Sequence, residues 1–255
     1  MTSRSEHGGV QAVRTMFDIV EYVADRDGAT ITEIATDLGY AKSTVHRHIS
    51  TLKELKYVAE TPDGYQAGLR FLEIGHSARQ RQQGHGMVKE KVEDIANETG
   101  ERAQFIVEEH GEGVYIHRAF GERAVRTDPG IGSRIPLHAT SAGKAILASM
   151  DEQRSTELIE ALEFDPITES TITESERLYD ELETIRERGY SFNRQENLKG
   201  LHAVGVPVLG PDGDVIGALS VSGPSHRMQG EWFEEDLPKL LLGTANELEL
   251  NIAYS

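Results

Sequence analysis

The sequence predicts an α+β fold in which an N-terminal winged helix-turn-helix is joined by a linker helix to a C-terminal domain of helices and strands. Two short amphipathic helices separated by a glycine lie within residues 30–56. A turn signal, Pro62-Asp63-Gly64, follows between two strand-like runs. From residue 85 onward, helical and strand-like periodicities alternate along the chain. These three observations predict the fold class.

The first helix of the pair has a regular apolar stripe and a clear start and end. Its apolar side chains fall at i, i+3, i+4 and i+7, namely Ile31, Ile34, Ala35 and Leu38. Thr30 and Glu33 form a capping-box pattern at its start. Gly39 follows directly and suits the left-handed residue that ends many helices. The spacing predicts a helix that begins after Thr30 and ends before Gly39.

The second helix has an apolar face and a polar face. Its apolar residues are Val45, Ile49, Leu52 and Leu55. At 100° per residue the opposite side carries hydroxyl groups and a guanidinium, which have the reach to contact base edges and phosphates in a major groove. We predict that Lys42 and Lys53 hold the DNA backbone. The residues expected to read bases or phosphates are Ser43, Thr44, His46, Arg47 and Ser50.

The flanking segments complete a winged helix. A preceding helix is predicted from the apolar residues Val13, Met16, Phe17, Val20 and Val23. Strands are predicted at 57–60 and 65–67 around the turn signal. The pattern predicts a DNA-binding module, and a helical packing module that does not touch DNA is the alternative.

The net charge of −17 is unusual for a DNA-binding protein, but it is unevenly distributed. Residues 1–84 hold 10 lysines and arginines against 11 acidic residues, whereas residues 85–255 hold 16 against 32. The chain has 8 lysines and 18 arginines. This acidic, lysine-poor composition leads us to expect a protein of concentrated salt, as in halophilic archaea, with an ordinary acidic bacterial protein as the alternative. In high salt, phosphate contacts weaken steeply, so base contacts and shape matter more.

Other features of the composition concern cellular location and cofactors. No stretch approaches 18 consecutive apolar residues, and the N-terminus has no apolar signal core. We therefore expect a cytoplasmic protein with no membrane partner. The absence of cysteine excludes disulfides, thiolate metal ligands and a cysteine nucleophile. No cofactor is predicted.

The expected domain limits are 1–67 for the winged helix-turn-helix, 68–84 for the linker helix and 85–255 for the second domain. The second domain is predicted to contain a largely antiparallel sheet flanked by helices, able to enclose a small-molecule pocket. Its predicted helices are 88–97, 141–149, 152–162, 175–188 and 233–253. Its predicted strands are 102–109, 113–120, 190–193, 203–209 and 215–222.

Enzyme signatures are missing from the sequence. There is no G-x-S-x-G elbow, no H-E-x-x-H and no P-loop, so we do not expect an enzyme. The ten histidines are scattered without metal-ligand spacing, although His110 and His117 could meet across a hairpin. A small-molecule-binding or metal-binding protein that uses the helix-turn-helix for protein docking is the alternative function.

Several blocks resemble the IclR family of transcription regulators. They are IPLHATSAGKAILA at 135–148, GYSFNRQENLKG at 189–200, LSVSGP at 219–224 and KSTVHRHISTL at 42–52. The blocks occur in family order and spacing. The resemblance implies a winged helix-turn-helix joined by a helix to a GAF-like effector-binding domain. It also implies dimers or tetramers on a palindromic DNA operator, controlling catabolic genes in response to a small organic acid or a sugar-derived metabolite.

The resemblance also implies which residues bind the effector. They are Thr127, Ile135, Ser141, Ala142, Asn193, Leu201, Ala203, Ser220 and Ser222. The expected helix start at Ser141 fits, because the N–H groups of a helix N-terminus attract carboxylates. The chain departs from the family pattern at Ala203, where many relatives have cysteine, and at Asn193, where some have an acidic residue. At His48, where relatives have an apolar residue, either packing or an added DNA contact remains open.

Overall fold

The computed structural model describes residues 9–81, 84–125 and 130–254, which form two compact units divided between Ala78 and Arg79. The first unit contains three helices, a two-stranded hairpin and a further helix that ends at the division. These elements are α1 (Gln11–Ala24), α2 (Ile31–Leu38), α3 (Lys42–Glu54), β1 (Val58–Thr61), β2 (Gly64–Ala67) and α4 (Arg70–Arg79).

The predicted helix-turn-helix is confirmed in detail. The Thr30 hydroxyl accepts a hydrogen bond from the Glu33 N–H, and the Glu33 carboxylate accepts one from the Thr30 N–H at 2.8 Å. Gly39 ends α2 with a φ of 71°, in the left-handed region that glycine adopts without strain. Val45, Ile49 and Leu52 of α3 lie in the core. Local sequence signals therefore fixed both helices of the motif.

The predicted apolar sets of α1 and α3 were partly wrong. Val13 and Phe17 of α1 are 48% and 49% exposed, and Leu55, just after α3, is 47% exposed. Ile19 and Tyr22 are buried instead. The apolar stripe of α1 is wider than the face that this small unit can cover, and periodicity alone does not show which edge of a wide stripe stays outside.

The wing is an antiparallel hairpin in which Val58 pairs with Ala67 and Thr61 pairs with Gly64. Its strands differ from the predicted limits by one residue. A bridge between Ala29 and Tyr65 attaches the wing to the segment between α1 and α2. The hairpin is thus held on the side of the helix-turn-helix.

The second unit combines helices with a six-stranded sheet. A π-helical turn (Trp232–Asp236) precedes its last helix. The elements in chain order are α5 (His85–Thr99), β3 (Arg102–Glu109), β4 (Glu112–Phe120), β5 (Arg134–Pro136), α6 (Ser141–Ser149), α7 (Glu152–Glu160), α8 (Ser175–Arg188), β6 (Ser191–Arg194), β7 (Leu201–Leu209), β8 (Val215–Pro224) and α9 (Leu237–Ala253).

The sheet has the order β5-β4-β3-β8-β7-β6, with antiparallel pairing between all neighbours. This confirms the predicted antiparallel sheet. The three-residue strand β5 was not predicted, because so short a run carries no recognisable alternation. Each other predicted limit in this unit lies within three residues of the observed one, except the start of α9, which was predicted at 233 and lies at Leu237 because the π-helical turn precedes it.

The two faces of the sheet are covered differently. On one face α5 and α9 bury a large apolar core that includes Phe105, Val204 and Val206. On the other face α6 packs on Ile106 and Ala218, and α6, α7 and α8 share a separate apolar cluster. Side chains alternate along a strand, so the polar residues of β3 and β8 that lie on the same face as Ile106 and Ala218 also face α6. Among the described helices, none is long and apolar enough to cross a membrane.

Candidate functional site

The predicted DNA-reading residues of α3 lie on one exposed face. Thr44 is partly exposed, and the other six residues are exposed. The apolar residues Val45, Ile49 and Leu52 are 2% exposed or less and fix the helix against the core. The exposed set is Lys42, Ser43, His46, Arg47, Ser50 and Lys53. The arrangement exposes hydroxyl groups, an imidazole and cationic groups to the outside of the unit.

Two residues of α3 have partners that the sequence did not reveal. Lys53 donates a hydrogen bond to the Glu60 carboxylate on the wing, which raises the pKa of Lys53. His48 lies next to α1, with its Nδ1 2.9 Å from the Thr44 carbonyl oxygen and its Nε2 3.3 Å from the Ala12 carbonyl oxygen. Of the two possibilities left open for His48, packing is the one that this geometry favours.

The second unit contains a cavity of about 200 Å³ between the sheet and the start of α6. Eight of the nine residues predicted to bind the effector line it, and Thr127 lies outside the described residues. The eight are Ile135, Ser141, Ala142, Asn193, Leu201, Ala203, Ser220 and Ser222. The fold therefore brings together residues that are separated by up to 87 positions in the sequence.

The start of α6 is seated closely on the sheet. Thr140 caps the helix by accepting a hydrogen bond from the Gly143 N–H. Ser191 of β6 donates a hydrogen bond to the Ser141 carbonyl. At Gly205 a Cβ atom would lie 2.6 Å from the carbonyl carbon of Ser141, so only glycine allows β7 to approach so closely. The first N–H groups of a helix have no acceptor within it, and the first two residues of α6, Ser141 and Ala142, line the cavity.

Seven further lining residues were missed by the sequence analysis: Arg102, Gln104, Ile106, Tyr115, Thr140, Asn197 and Leu198. Arg102 and Gln104 are 6% and 3% exposed. Both belong to β3 and stand two positions apart, so they share one face of the strand. The alternation of polar and apolar residues along β3 was a signal that could have identified them. A strand buried on both faces must place its polar side chains against other polar groups.

A hydrogen-bond network joins the polar lining residues. Arg102 Nε donates to Ser222 Oγ at 2.9 Å, and Gln104 Nε2 lies 3.2 Å from both Ser220 Oγ and Ser222 Oγ. Ser220 Oγ lies 3.1 Å from Ser141 Oγ. Burial lowers the pKa of Arg102, yet a guanidinium starts so far above neutrality that it keeps its charge. The network holds a buried cation in a fixed position at the cavity wall.

Asn193 lines the cavity, but its amide group has partners in the protein backbone. Its Nδ2 donates to the Ala139 carbonyl at 2.9 Å, and its Oδ1 accepts from the Glu196 N–H at 2.9 Å. Glu196 in turn accepts a hydrogen bond from the buried Lys144 at 2.7 Å. Asn193 therefore connects the cavity to a buried ion pair between α6 and the segment after β6.

The histidines considered as metal ligands do not come together. His117 Nε2 donates to the His85 carbonyl at 2.8 Å, whereas His110 occupies the turn between β3 and β4. Within the described ranges no group of three or more His, Cys, Asp or Glu residues has the arrangement to hold a metal ion. His138 is buried against Phe164, and burial lowers its pKa. It packs near the start of α6, as a structural residue would.

Comparison with known proteins covers both units. Residues 12–62 match the IclR helix-turn-helix domain, and residues 80–250 match the C-terminal domain of the bacterial transcriptional regulator IclR. The chain is 30% identical over 247 residues to the probable HTH-type transcriptional regulator ArcR of Halobacterium salinarum, covering 95% of this chain and 94% of ArcR. It is 32% identical to the HTH-type transcriptional regulator KdgR of Escherichia coli, covering 96% of this chain and 94% of KdgR.

A solved structure supports the same assignment. The crystal structure of the Thermotoga maritima IclR is similar with a TM-score of 0.83 and 29% identity, covering 96% of this chain and 99% of that chain. These relatives are transcription regulators rather than enzymes. The profile matches extend over most of both units. The chain belongs to the IclR family of transcription regulators, with a DNA-binding helix-turn-helix and an effector-binding domain.

Proposed function

We propose that this regulator binds a palindromic operator of catabolic genes as a dimer or tetramer, and that a small organic acid or sugar-derived metabolite in the cavity changes its affinity for DNA. One observation carries the proposal. The same chain combines an exposed polar face on α3 with a buried polar cavity in a separate unit. The first suits duplex DNA, and the second suits a small molecule.

The DNA half of the proposal depends on the charges of α3. Lys42 and Arg47 are exposed cations at the start and middle of the helix, where they are placed for phosphates and base edges. Lys53 forms an ion pair with Glu60, so it contributes less to phosphate binding than an unpaired lysine would. We propose that Ser43, Thr44, His46 and Ser50 supply the remaining contacts. With so few cations, specificity depends on base contacts and shape.

The dimer is supported by an apolar groove in the first unit. The groove is about 810 Å³ and is lined by α1, α3, α4 and the segment between α3 and β1, including the half-exposed Val13, Phe17, Leu55 and Ile74. A monomer rarely leaves a contiguous apolar surface of this kind open. Its edge includes Arg47 of the reading helix. A second copy packed there by a two-fold axis would fix the distance between two reading helices, as half-sites about 34 Å apart require.

Only a modest free energy is needed to couple effector binding in the cavity to DNA binding by α3. A difference of about 1–3 kcal/mol in effector affinity between two arrangements of the dimer changes operator affinity several-fold to about a hundredfold. We propose that the linker, 68–84, transmits the change to the spacing of the reading helices. The acidity of residues 85–255, which hold 32 acidic residues against 16 lysines and arginines, also supports our proposal of a cytoplasmic protein that works in concentrated salt.

The function is tested by replacing Arg47. In a mobility-shift assay with genomic fragments at the working ionic strength, Arg47→Ala should lose preference for the operator over bulk competitor, because a bidentate base contact contributes about 1–3 kcal/mol of discrimination. Arg26→Ala is the control, since it removes the same charge from the end of α1, where Arg26 donates to the Tyr22 carbonyl. Equal operator binding by both variants would contradict the proposed reading face.

A further inference from the structure

Strand β4 has an irregularity between the cavity and the start of α5. Ile106 on β3 pairs with Tyr115 and its neighbour Phe105 pairs with His117, so Ile116 is an extra residue in β4. Such a bulge lets side chains two positions apart face opposite sides of a sheet. Tyr115 lines the cavity, whereas His117 faces α5. One short stretch of β4 therefore reaches both faces of the sheet.

Two buried histidines connect this bulge to the end of α4. His117 and His85 are 7% and 5% exposed. His117 Nε2 donates a hydrogen bond to the carbonyl of His85, the first residue of α5, at 2.8 Å. His85 Nδ1 lies 3.0 Å from the carbonyl oxygen of Arg79, the last residue of α4 and the first of the second unit. Since a carbonyl oxygen only accepts hydrogen bonds, His85 Nδ1 is also a donor. Two imidazole rings therefore tie the end of α4 to β4.

The protonation state of the two histidines fits this arrangement. Burial lowers the pKa of both rings, and the cationic groups of Arg79 and Lys89 lower the pKa of His117 further. The hydrogen bonds to backbone carbonyls act in the opposite direction but do not reverse the shift. Both rings are therefore neutral near pH 7, and a neutral imidazole has a single N–H. Each ring uses that N–H on a backbone carbonyl and has no second donor with which to replace the bond.

The surroundings of the pair make it a firm connection. The ring of His85 packs edge-on against Phe105, with 6.0 Å between the ring centroids, and Phe105 is the residue that pairs with His117. The bulge differs, because it leaves Ile116 out of the regular hydrogen-bond ladder and so constrains β4 less than the pairing on either side. A displacement of Tyr115 can therefore shift β4 at the bulge, and the histidine pair moves with the strand.

We propose that His117 and His85 are positioning residues that pass a change at the cavity wall to the end of α4. A molecule in the cavity that displaces Tyr115 shifts β4 at the bulge, and the two imidazole rings carry this shift to Arg79. The proposal rests on the proposed function, in which binding in the cavity acts on DNA binding through the linker. It goes further because it names the residues through which the change leaves the sheet.

A double-mutant cycle in the full-length protein tests this connection without operator or effector. Tyr115→Leu is the change at the cavity wall. The readout is amide hydrogen exchange at one pH, measured by mass spectrometry in peptides that contain Arg79 or His85. In the otherwise unchanged chain, Tyr115→Leu should alter this exchange at least about threefold, because exchange reports the local opening of each segment.

Substitutions of His117 separate the specific bond from a general loss of packing. His117→Gln keeps an N–H that can take the place of Nε2, whereas the shorter amide of His117→Asn does not reach the His85 carbonyl. In His117→Asn the exchange near Arg79 should rise at least about fivefold, and the effect of Tyr115→Leu should fall below about 1.5-fold. His117→Gln should retain most of that effect.

A second variant and a control complete the cycle. His85→Phe breaks the other bond of the pair while keeping an aromatic ring in place, so it gives the same test if His117→Asn does not fold. His202→Gln is the control. His202 Nδ1 lies 2.8 Å from the Met228 carbonyl oxygen in the same unit, so this change removes a similar bond that does not involve β4. The effect of the cavity-wall substitution should keep its full size in the control.

Additive effects would overturn the proposal. If Tyr115→Leu changes the exchange near Arg79 by the same factor in every background, or does not change it at all, the histidine pair does not transmit the state of the cavity. Unchanged exchange near Arg79 in both His117→Asn and His85→Phe would overturn it as well. These outcomes leave the proposed function standing, because the cycle contains neither DNA nor effector. A failure of the Arg47→Ala test would reject the proposed reading face and leave the result of the cycle intact.

Discussion

Ser222 shows how much depends on single hydroxyl groups in the second unit. Its Oγ accepts hydrogen bonds from Arg102 and Gln104, and the neighbouring Ser220 joins Gln104 to Ser141. The i, i+2 spacing of the two serines predicted that they share one face of β8. Their partners on β3 were not predicted, because the pairing of Gln104 with Ser220 depends on strand order rather than on local sequence.

At this scale we predict that Ser220→Ala combined with Ser222→Ala blunts the response to effector but leaves operator affinity without effector unchanged. The variant also removes both serine acceptors of Gln104 Nε2, so stability should fall by roughly 1–3 kcal/mol. Thermal unfolding and operator titration, each with and without effector, measure both effects. Ser155→Ala is a matched control, because Ser155 is equally buried and donates to the Leu147 carbonyl in a different cluster.

The control variant should lose stability but keep its effector response. A full response in the double variant would remove Ser220 and Ser222 from the effector site. The comparison therefore distinguishes a contact with the ligand from a general effect of losing a buried hydroxyl group.

At the scale of elements, the recognition helix and the wing are linked by a charge pair. Lys53 near the end of α3 pairs with Glu60 on β1, and the two side chains are 51% and 53% exposed. Exposed pairs of this kind contribute little to stability. The pair matters instead for DNA binding, because it places an acidic group beside a cation that was predicted to contact phosphate.

We predict that Glu60→Gln strengthens operator binding and makes it more dependent on salt. Freeing Lys53 for one more phosphate contact should steepen the plot of log affinity against log salt concentration by about one unit. Fluorescence anisotropy over a salt series measures the slope. Glu73→Gln on α4 changes the net charge equally without touching Lys53, so equal slopes for the two variants would contradict a role for this pair.

At the scale of the whole molecule, the distribution of charge and apolar surface is the main feature. The excess acidity lies in residues 85–255, while residues 1–84 are nearly neutral and include the cations of α3. The half-exposed apolar residues of α1 and α4 lie in the first unit. A two-fold assembly through this groove would bury apolar surface and leave the acidic second unit to repel other molecules.

We predict that Phe17→Asp disrupts the dimer, because it places a charge in the apolar groove where Phe17 is 49% exposed. Sedimentation velocity should show a smaller species, and operator affinity should fall at least about tenfold as the two half-sites are no longer bound together. Phe120→Asp makes the same change at a 38% exposed phenylalanine of the second unit and should keep the assembly. An unchanged oligomer in Phe17→Asp would reject the groove as the interface.

The local sequence determined much of the fold. The capping box at Thr30, the left-handed Gly39, the burial of Val45, Ile49 and Leu52 and the turn of the wing depend on residues within a few positions of each other, and all were predicted. The limits of α6 and α8 were also predicted without error. Short-range steric and hydrogen-bonding preferences act on each segment alone, so the sequence contains them directly.

Only the tertiary structure decided which polar residues meet. The sequence placed Ser141, Ser220 and Ser222 at a candidate site, whereas Arg102 and Gln104 joined them because β3 lies between β4 and β8. The same holds for Phe17, whose apolar character predicted burial but whose helix phase left it at the edge of a groove. Periodicity shows which residues share a face, and packing between distant segments determines what that face contacts.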